Sequence, residues 1–180
     1  FFLITQNGGN IREALRKFIA TTEGSYSAAF LTKQGVYLFR DPWGNRPFFF
    51  GSRRDVFFFA SETCALGDYC FGEMFHVDPG QVIEVKPSHY IEKGWTGVNG
   101  EFCPRKEQKS YCVFEKIYFA RPDSNTFGKE QEGSFRFRLG IKLAQQFPVI
   151  GADFVSCIPE SGRPSAEGFA FQSVLPTLEI

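Results

Sequence analysis

Apolar residues at 11, 14, 15, 18 and 19 recur with a helical period, so the pattern predicts a helix over Ile11–Ile19 with Asn10 as its cap. Short apolar runs then follow in quick succession at Ser25–Thr32, Val36–Arg40, Pro47–Gly51 and Val56–Ala60. Gly24, Gly35 and Arg53-Arg54-Asp55 punctuate them, and strands this close in sequence predict antiparallel pairing. Met74–Val77 and Gln81–Val85 read as one more pair, joined by a turn at Asp78-Pro79-Gly80. Residues 86–109 are polar with scattered Gly and Pro, and read as a linker. Beyond them the pattern changes to helix (Val113–Ala120), helix (Glu132–Phe147), strand (Ala152–Ile158) and helix (Pro164–Ser173), the opening of a βα unit with a parallel sheet. The expected organisation is therefore an antiparallel, β-rich α+β domain over 1–105 and part of an α/β domain over 106–180.

Composition narrows the function classes. The 180 residues carry 20 basic and 20 acidic side chains, so no basic face is implied and nucleic acid is not an expected partner. Polar residues follow Phe1–Ile4 at once, which argues against a signal peptide or a membrane span. Phe is unusually common at 23 residues, and these large side chains read as strand cores. The five cysteines lack regular spacing, which fits a reduced, cytoplasmic setting better than a disulfide framework. His76 and His89 stand alone, without metal-site spacing.

Two segments suggest chemistry. Cys157-Ile-Pro-Glu-Ser-Gly-Arg-Pro164 joins an expected strand to an expected helix. Free backbone N–H groups and the positive end of the helix can receive an anion there, Gly162 allows close approach, and Arg163 adds positive charge. Arg40-Asp-Pro-Trp-Gly-Asn-Arg-Pro47 reads as a structural turn, shaped by Pro42 and Gly44 and pinned by Asp41 with Arg40 or Arg46. Ser61 reads as the cap of a short helix with Glu62 in its first turn.

Taken in order, "RDPWGNRP", "ASETCAL" (60–66), "HVDPGQVIEV" (76–85), "CVFEKIYFARPDS" (112–124) and "IPESGRP" (158–164) resemble the glutamine phosphoribosylpyrophosphate amidotransferase family from about Ile11 to Leu175. The resemblance implies the rear of an N-terminal-nucleophile, class II glutaminase domain followed by the first part of a type I phosphoribosyltransferase domain. It places Glu160, Ser161, Gly162 and Arg163 in the family's pyrophosphate loop, and gives Glu160 a loop-shaping role rather than an acid–base one. It implies a parent transferase of purine biosynthesis that takes glutamine and phosphoribosylpyrophosphate, uses Mg²⁺, and is a cytoplasmic homo-oligomer. Some members carry a 4Fe–4S cluster. Cys112 stands where one ligand falls, although such a cluster needs four thiolates. Cys112 is expected to be unpaired and partly buried, beside an apolar helical face of Val113, Phe114, Ile117 and Tyr118 that needs a partner surface.

The family's N-terminal cysteine, glutamine-clamping Arg, oxyanion-hole Asn-Gly and acidic ribose loop have no counterpart in these residues. The implied reading is an internal fragment with no catalytic residue of its own and no activity alone. The alternatives are a non-catalytic remnant that keeps a partner-binding surface, or another class II amidotransferase of the asparagine-synthetase kind. "IPESGRP" following "YFARPDS" disfavours the last.

Overall fold

The computed structural model describes residues 2–54, 56–67, 69–70, 74–87, 95–102, 110–128 and 130–179. The chain forms two compact units, Phe1–Tyr111 and Cys112–Ile180.

In the first unit a short helix α1 (Phe2–Gln6) precedes α2 (Ile11–Thr21). The Asn10 side chain accepts the Glu13 N–H, satisfying a donor that the helix cannot pair internally. Two antiparallel sheets follow. One has the order β1 (Ser27–Thr32), β2 (Gly35–Arg40), β6 (Gln81–Pro87), β7 (Trp95–Phe102). The other has the order β4 (Val56–Ala60), β3 (Phe49–Arg53), β5 (Met74–His76).

Strand alternation distributes the aromatic residues among three cores. Tyr37, Phe39 and Val82 face α2 and pack with Leu15 and Ile19. Leu38, Ile83 and Val85 face the other way, against Phe48 and Val77, with Phe50 and Phe57 packed alongside. Phe49 closes on Leu66 and Cys70, with Phe58 and Ala60, beside the short helix α3 (Cys64–Gly67). Helix, sheet, sheet and helix are thus layered within this unit. Gly35 stands where β6 comes closest: a Cβ there would lie 2.3 Å from the Val85 carbonyl oxygen.

Two expectations fail here. Met74–His76 and Gln81–Pro87 do not pair with each other: β5 adds to β3 and β6 adds to β2. The Asp78-Pro79-Gly80 turn, closed by Gln81 N–H to Asp78 O at 3.0 Å, carries the chain from one sheet to the other. The segment read as linker also contains β7, which pairs with β6 from Gln81↔Phe102 to Pro87↔Trp95. Gly97, Asn99 and Gly100 lower its strand propensity, so the pairing comes from the neighbouring strand rather than from local preference. The remainder of the linker reading, at 88–94 and 103–109, lies outside the described residues, as does Cys103.

One polar cluster fastens α2 to its sheet. Glu84 of β6 accepts from Tyr37 Oη at 2.8 Å and from the Arg12 guanidinium, and Lys86 stands 3.6 Å away. Burial raises the Glu84 carboxyl, but hydrogen bonds from Arg12 and Tyr37 outweigh it and leave Glu84 below its ordinary range. Burial, then the Glu84 hydrogen bond, push Tyr37 up to about 12.

The second unit opens on a π-helical turn, Glu115–Phe119, and is dominated by α4 (Glu132–Gln146) and α5 (Arg163–Ser173). Helix α4 buries Glu132, Arg136, Gly140 and Ala144, a stripe of charged and small residues one turn apart. Arg136 donates to the carbonyls of Lys116 (2.6 Å) and Ala120 (2.8 Å), fastening the end of the π-helical turn. Glu132 accepts from the Thr126 N–H and hydroxyl at 3.0 and 2.5 Å. Carbonyls of Ser124 and Pro122 take the N–H groups of Glu132 and Gly133, so the Arg121–Ser124 loop caps α4 with its backbone. The glycines set the helix spacing: a Cβ at Gly140 would fall 1.9 Å from Ser165 O, and one at Gly168 1.9 Å from Phe137 O.

Two further expectations are corrected in this unit. Ala152–Ile158 is not a strand: only Val155 forms a bridge, parallel to Thr177, with N–H to Pro176 O and C=O from the Leu178 N–H, both at 2.9 Å. A single flanking segment supplies too few partners for a parallel ladder. The apolar face of the 113–119 segment is also not covered: Val113, Phe114 and Tyr118 are more than half exposed, while Glu115 and Ala120 are buried.

Two predictions follow from this packing. Gly140→Ala or Gly168→Ala forces backbone against a new methyl group and should destabilise the second unit by about 1–3 kcal/mol or more. Gly67→Ala, where nothing lies within 4 Å, serves as the control. Denaturant unfolding decides, and equal midpoints for all three variants and the wild type contradict the close approach.

The second prediction concerns alkaline stability. The folded Tyr37 value lies above the ordinary 10.0. Between 10.0 and about 12 the unfolded chain therefore ionises first, and the stability from this phenol is lost as pH rises through that window. The wild type should lose about 3 kcal/mol more than Tyr37→Phe across the window. Parallel loss in both proteins removes the basis for a buried Tyr37–Glu84 bond. Glu84 has the opposite sign: its contribution is present above the ordinary carboxylate range and is lost as pH falls through its lowered folded value.

Candidate functional site

The Arg40–Pro47 segment folds into a turn built on two wholly buried charged residues. Asp41 Oδ1 accepts from the N–H groups of Trp43 (3.0 Å) and Gly44 (2.7 Å), and Oδ2 from Tyr26 N–H at 3.2 Å. The carboxylate thus pins the turn through backbone amides, where the sequence suggested a side-chain ion pair. Arg40 donates to Val77 O at 2.8 Å and Gly44 O at 2.7 Å, and its Nη1 lies 3.1 Å from the His76 ring. Gly44, at φ +72°, lies so close to Pro79 that a Cβ would sit 2.4 Å from its ring. These hydrogen bonds hold the turn and join it to the segment after β5. Nor does Glu62 open a helical first turn, since α3 begins at Cys64 and its early N–H groups return to Thr63 O.

The Glu160–Arg163 loop leads directly into α5, with Gly162 at the cap position and Pro164 in the first turn. Gly162 packs tightly, since a Cβ would meet Ile158 O at 2.8 Å. The N–H of Arg163 closes a turn onto Glu160 O at 3.2 Å. Pro159–Gly162 form a continuous turn, and the Ile158 carbonyl lies directly against it. The Arg163 side chain is not a bare positive charge: Glu160 takes it at 3.3 Å with both carboxylate oxygens, and Glu179, just past the Thr177 bridge, takes it too. These hydrogen bonds, that of Glu179 first, hold the guanidinium still more firmly protonated and Glu179 below its ordinary range. Glu160 itself is exposed and, among the described residues, meets the loop only through Arg163. Glu179 was not foreseen: it lies sixteen residues beyond Arg163, outside any motif. A small cavity of about 60 Å³ adjoins the loop, lined by Val155, Cys157, Arg163, Glu167 and Thr177 among others.

Cys112 is a free, half-buried thiol just ahead of the π-helical turn. Among the described residues no three His, Cys, Asp or Glu side chains gather where they could share a metal ion. A 4Fe–4S cluster at Cys112 would need three further thiolates, and Mg²⁺ is commonly held by one or two carboxylates together with waters and substrate phosphates.

The buried Arg40 sets a testable demand. Arg40→Met leaves the Gly44 and Val77 carbonyls without their donor and should cost about 2–5 kcal/mol. Arg40→Lys should recover little, because one ammonium cannot reproduce a planar fork between two carbonyls. A change within about 0.5 kcal/mol in thermal or denaturant unfolding is the signature of a surface residue and contradicts this role.

A glutamine amidotransferase domain model matches residues 5–68. The amidophosphoribosyltransferase of Pyrococcus horikoshii is 38% identical over 167 residues, covering 93% of this chain and 34% of that protein. The solved glutamine phosphoribosylpyrophosphate amidotransferase from B. subtilis, complexed with ADP and GMP, superposes with a TM-score of 0.83 at 31% identity. It covers 98% of this chain and 37% of its own. A structure described as the allosteric regulatory enzyme of purine biosynthesis gives 0.75 at 30% identity, over 98% of this chain and 41% of its own. The chain spans about a third of the length of the relatives it matches. The antiparallel sheets with their helices fit the glutaminase domain of an N-terminal-nucleophile amidotransferase.

Proposed function

We propose that this chain, which carries amidophosphoribosyltransferase sequence and fold, forms the passage between the two halves of such an enzyme. Residues 1–105 belong to the glutaminase half and residues 106–180 to the phosphoribosyltransferase half. The whole protein would release ammonia from glutamine and join it to C1 of phosphoribosylpyrophosphate as the C1–O bond to pyrophosphate breaks. Phosphoribosylamine, glutamate and pyrophosphate are the products. The observation that carries this reading is a relative matched over 93% of the chain, well beyond the 5–68 span of the glutamine amidotransferase model.

Within that enzyme, Ser161, Gly162 and Arg163 would receive the departing pyrophosphate. The backbone N–H groups of Ser161 and Gly162 would supply fixed dipoles where negative charge accumulates, a form of stabilisation that needs no reorganisation during reaction. Helix α5 adds the positive end of its dipole. Arg163 can contribute its charge only by exchanging a carboxylate of Glu160 or Glu179 for a phosphate oxygen. The parent enzyme's Mg²⁺, any 4Fe–4S cluster at Cys112, a homo-oligomeric state and a cytoplasmic location are parts of the same proposal. Among the described residues no helix is long and apolar enough to cross a membrane.

The test uses the full-length protein and the phosphoribosylpyrophosphate-dependent release of glutamate. Gly162→Val pushes the loop off Ile158 O and should lower that turnover by about a hundredfold, the cost of losing one well-aimed oxyanion donor. Glu160→Gln should leave it unchanged or raise it, because Arg163 is partly freed. Calorimetric titration of the 180-residue chain with inorganic pyrophosphate should give weak binding that Gly162→Val removes, measured under conditions where the variant's unfolding curve shows it still folded. Equal pyrophosphate affinity in wild type and Gly162→Val refutes the loop assignment. Absence of phosphoribosylpyrophosphate-dependent turnover in the full-length protein refutes the enzyme assignment.

A further inference from the structure

We draw no further inference here: the strongest candidate, the apolar groove of 330 Å³ between α1, α2 and the β1–β2 face lined by Leu3, Ile4, Leu15, Phe18, Phe30 and Phe39, is an unpartnered apolar face and nothing in the structure shows what covers it.

Discussion

A buried guanidinium bonded to backbone carbonyls holds each unit together. Among the described residues Arg40 and Arg136 are the two largest side chains that are fully buried. A bare charge in such a place would cost many kcal/mol, so its position requires acceptors already fixed in space. In the first unit the acceptors are the carbonyls of Gly44 and Val77. These belong to the turn after β2 and to the segment after β5, so one side chain ties the two sheets where the chain passes between them. Asp41 completes the joint from the opposite direction: its carboxylate gathers N–H groups of Tyr26, Trp43 and Gly44, and its carbonyl takes that of Gly80. Arginine suits this task because its planar fork serves separate acceptors without losing charge.

The second unit repeats the device in helical surroundings. The π-helical turn sends the Ala120 N–H to Glu115 O and so leaves the Lys116 carbonyl that an α-helix would pair, and Arg136 of α4 supplies donors to it and to the Ala120 carbonyl at the cap. The same face of α4 continues through Gly140, where α5 approaches within backbone contact, and Ser165 Oγ donates to Arg136 O at 3.1 Å. Charge, small residue and hydroxyl along one stripe thus fix the turn, the crossing and the start of α5 together. The loop at Glu160–Arg163 inherits its position from that crossing, because α5 carries Arg163 and Pro164 in its first turn.

This explains which parts of the chain were legible from sequence. Elements whose buried face is apolar were readable: α2 through Leu15 and Ile19, β2 through Leu38, β6 through Ile83 and Val85. Their period reports their environment directly. Helix α4 was also located, yet its interior face could not be foreseen, because Glu132 and Arg136 are buried while Leu139 and Leu143 lie 40% and 51% exposed. Burial there follows hydrogen-bond partners in the Arg121–Thr126 loop and the π-helical turn, which no periodicity encodes. Strand β7 was invisible for the complementary reason that its glycines carry no pattern, and only the presence of β6 makes it a strand. Pairing of β5 with β6 was the natural guess from a short turn. The turn instead changes sheets because Arg40 and Asp41 hold its two flanks.

The candidate loop shows the same limit at the level of chemistry. Its backbone could be anticipated, since a Ser-Gly pair followed by Pro marks a helix start with open N–H groups. The electrostatics could not, because Glu179 reaches Arg163 through a bridge between Val155 and Thr177 that lies outside the motif. A positive residue in an anion loop is available only to the extent that its counter-ions yield. Two carboxylates on one guanidinium leave local net charge negative, so an incoming phosphate meets repulsion unless one of them withdraws.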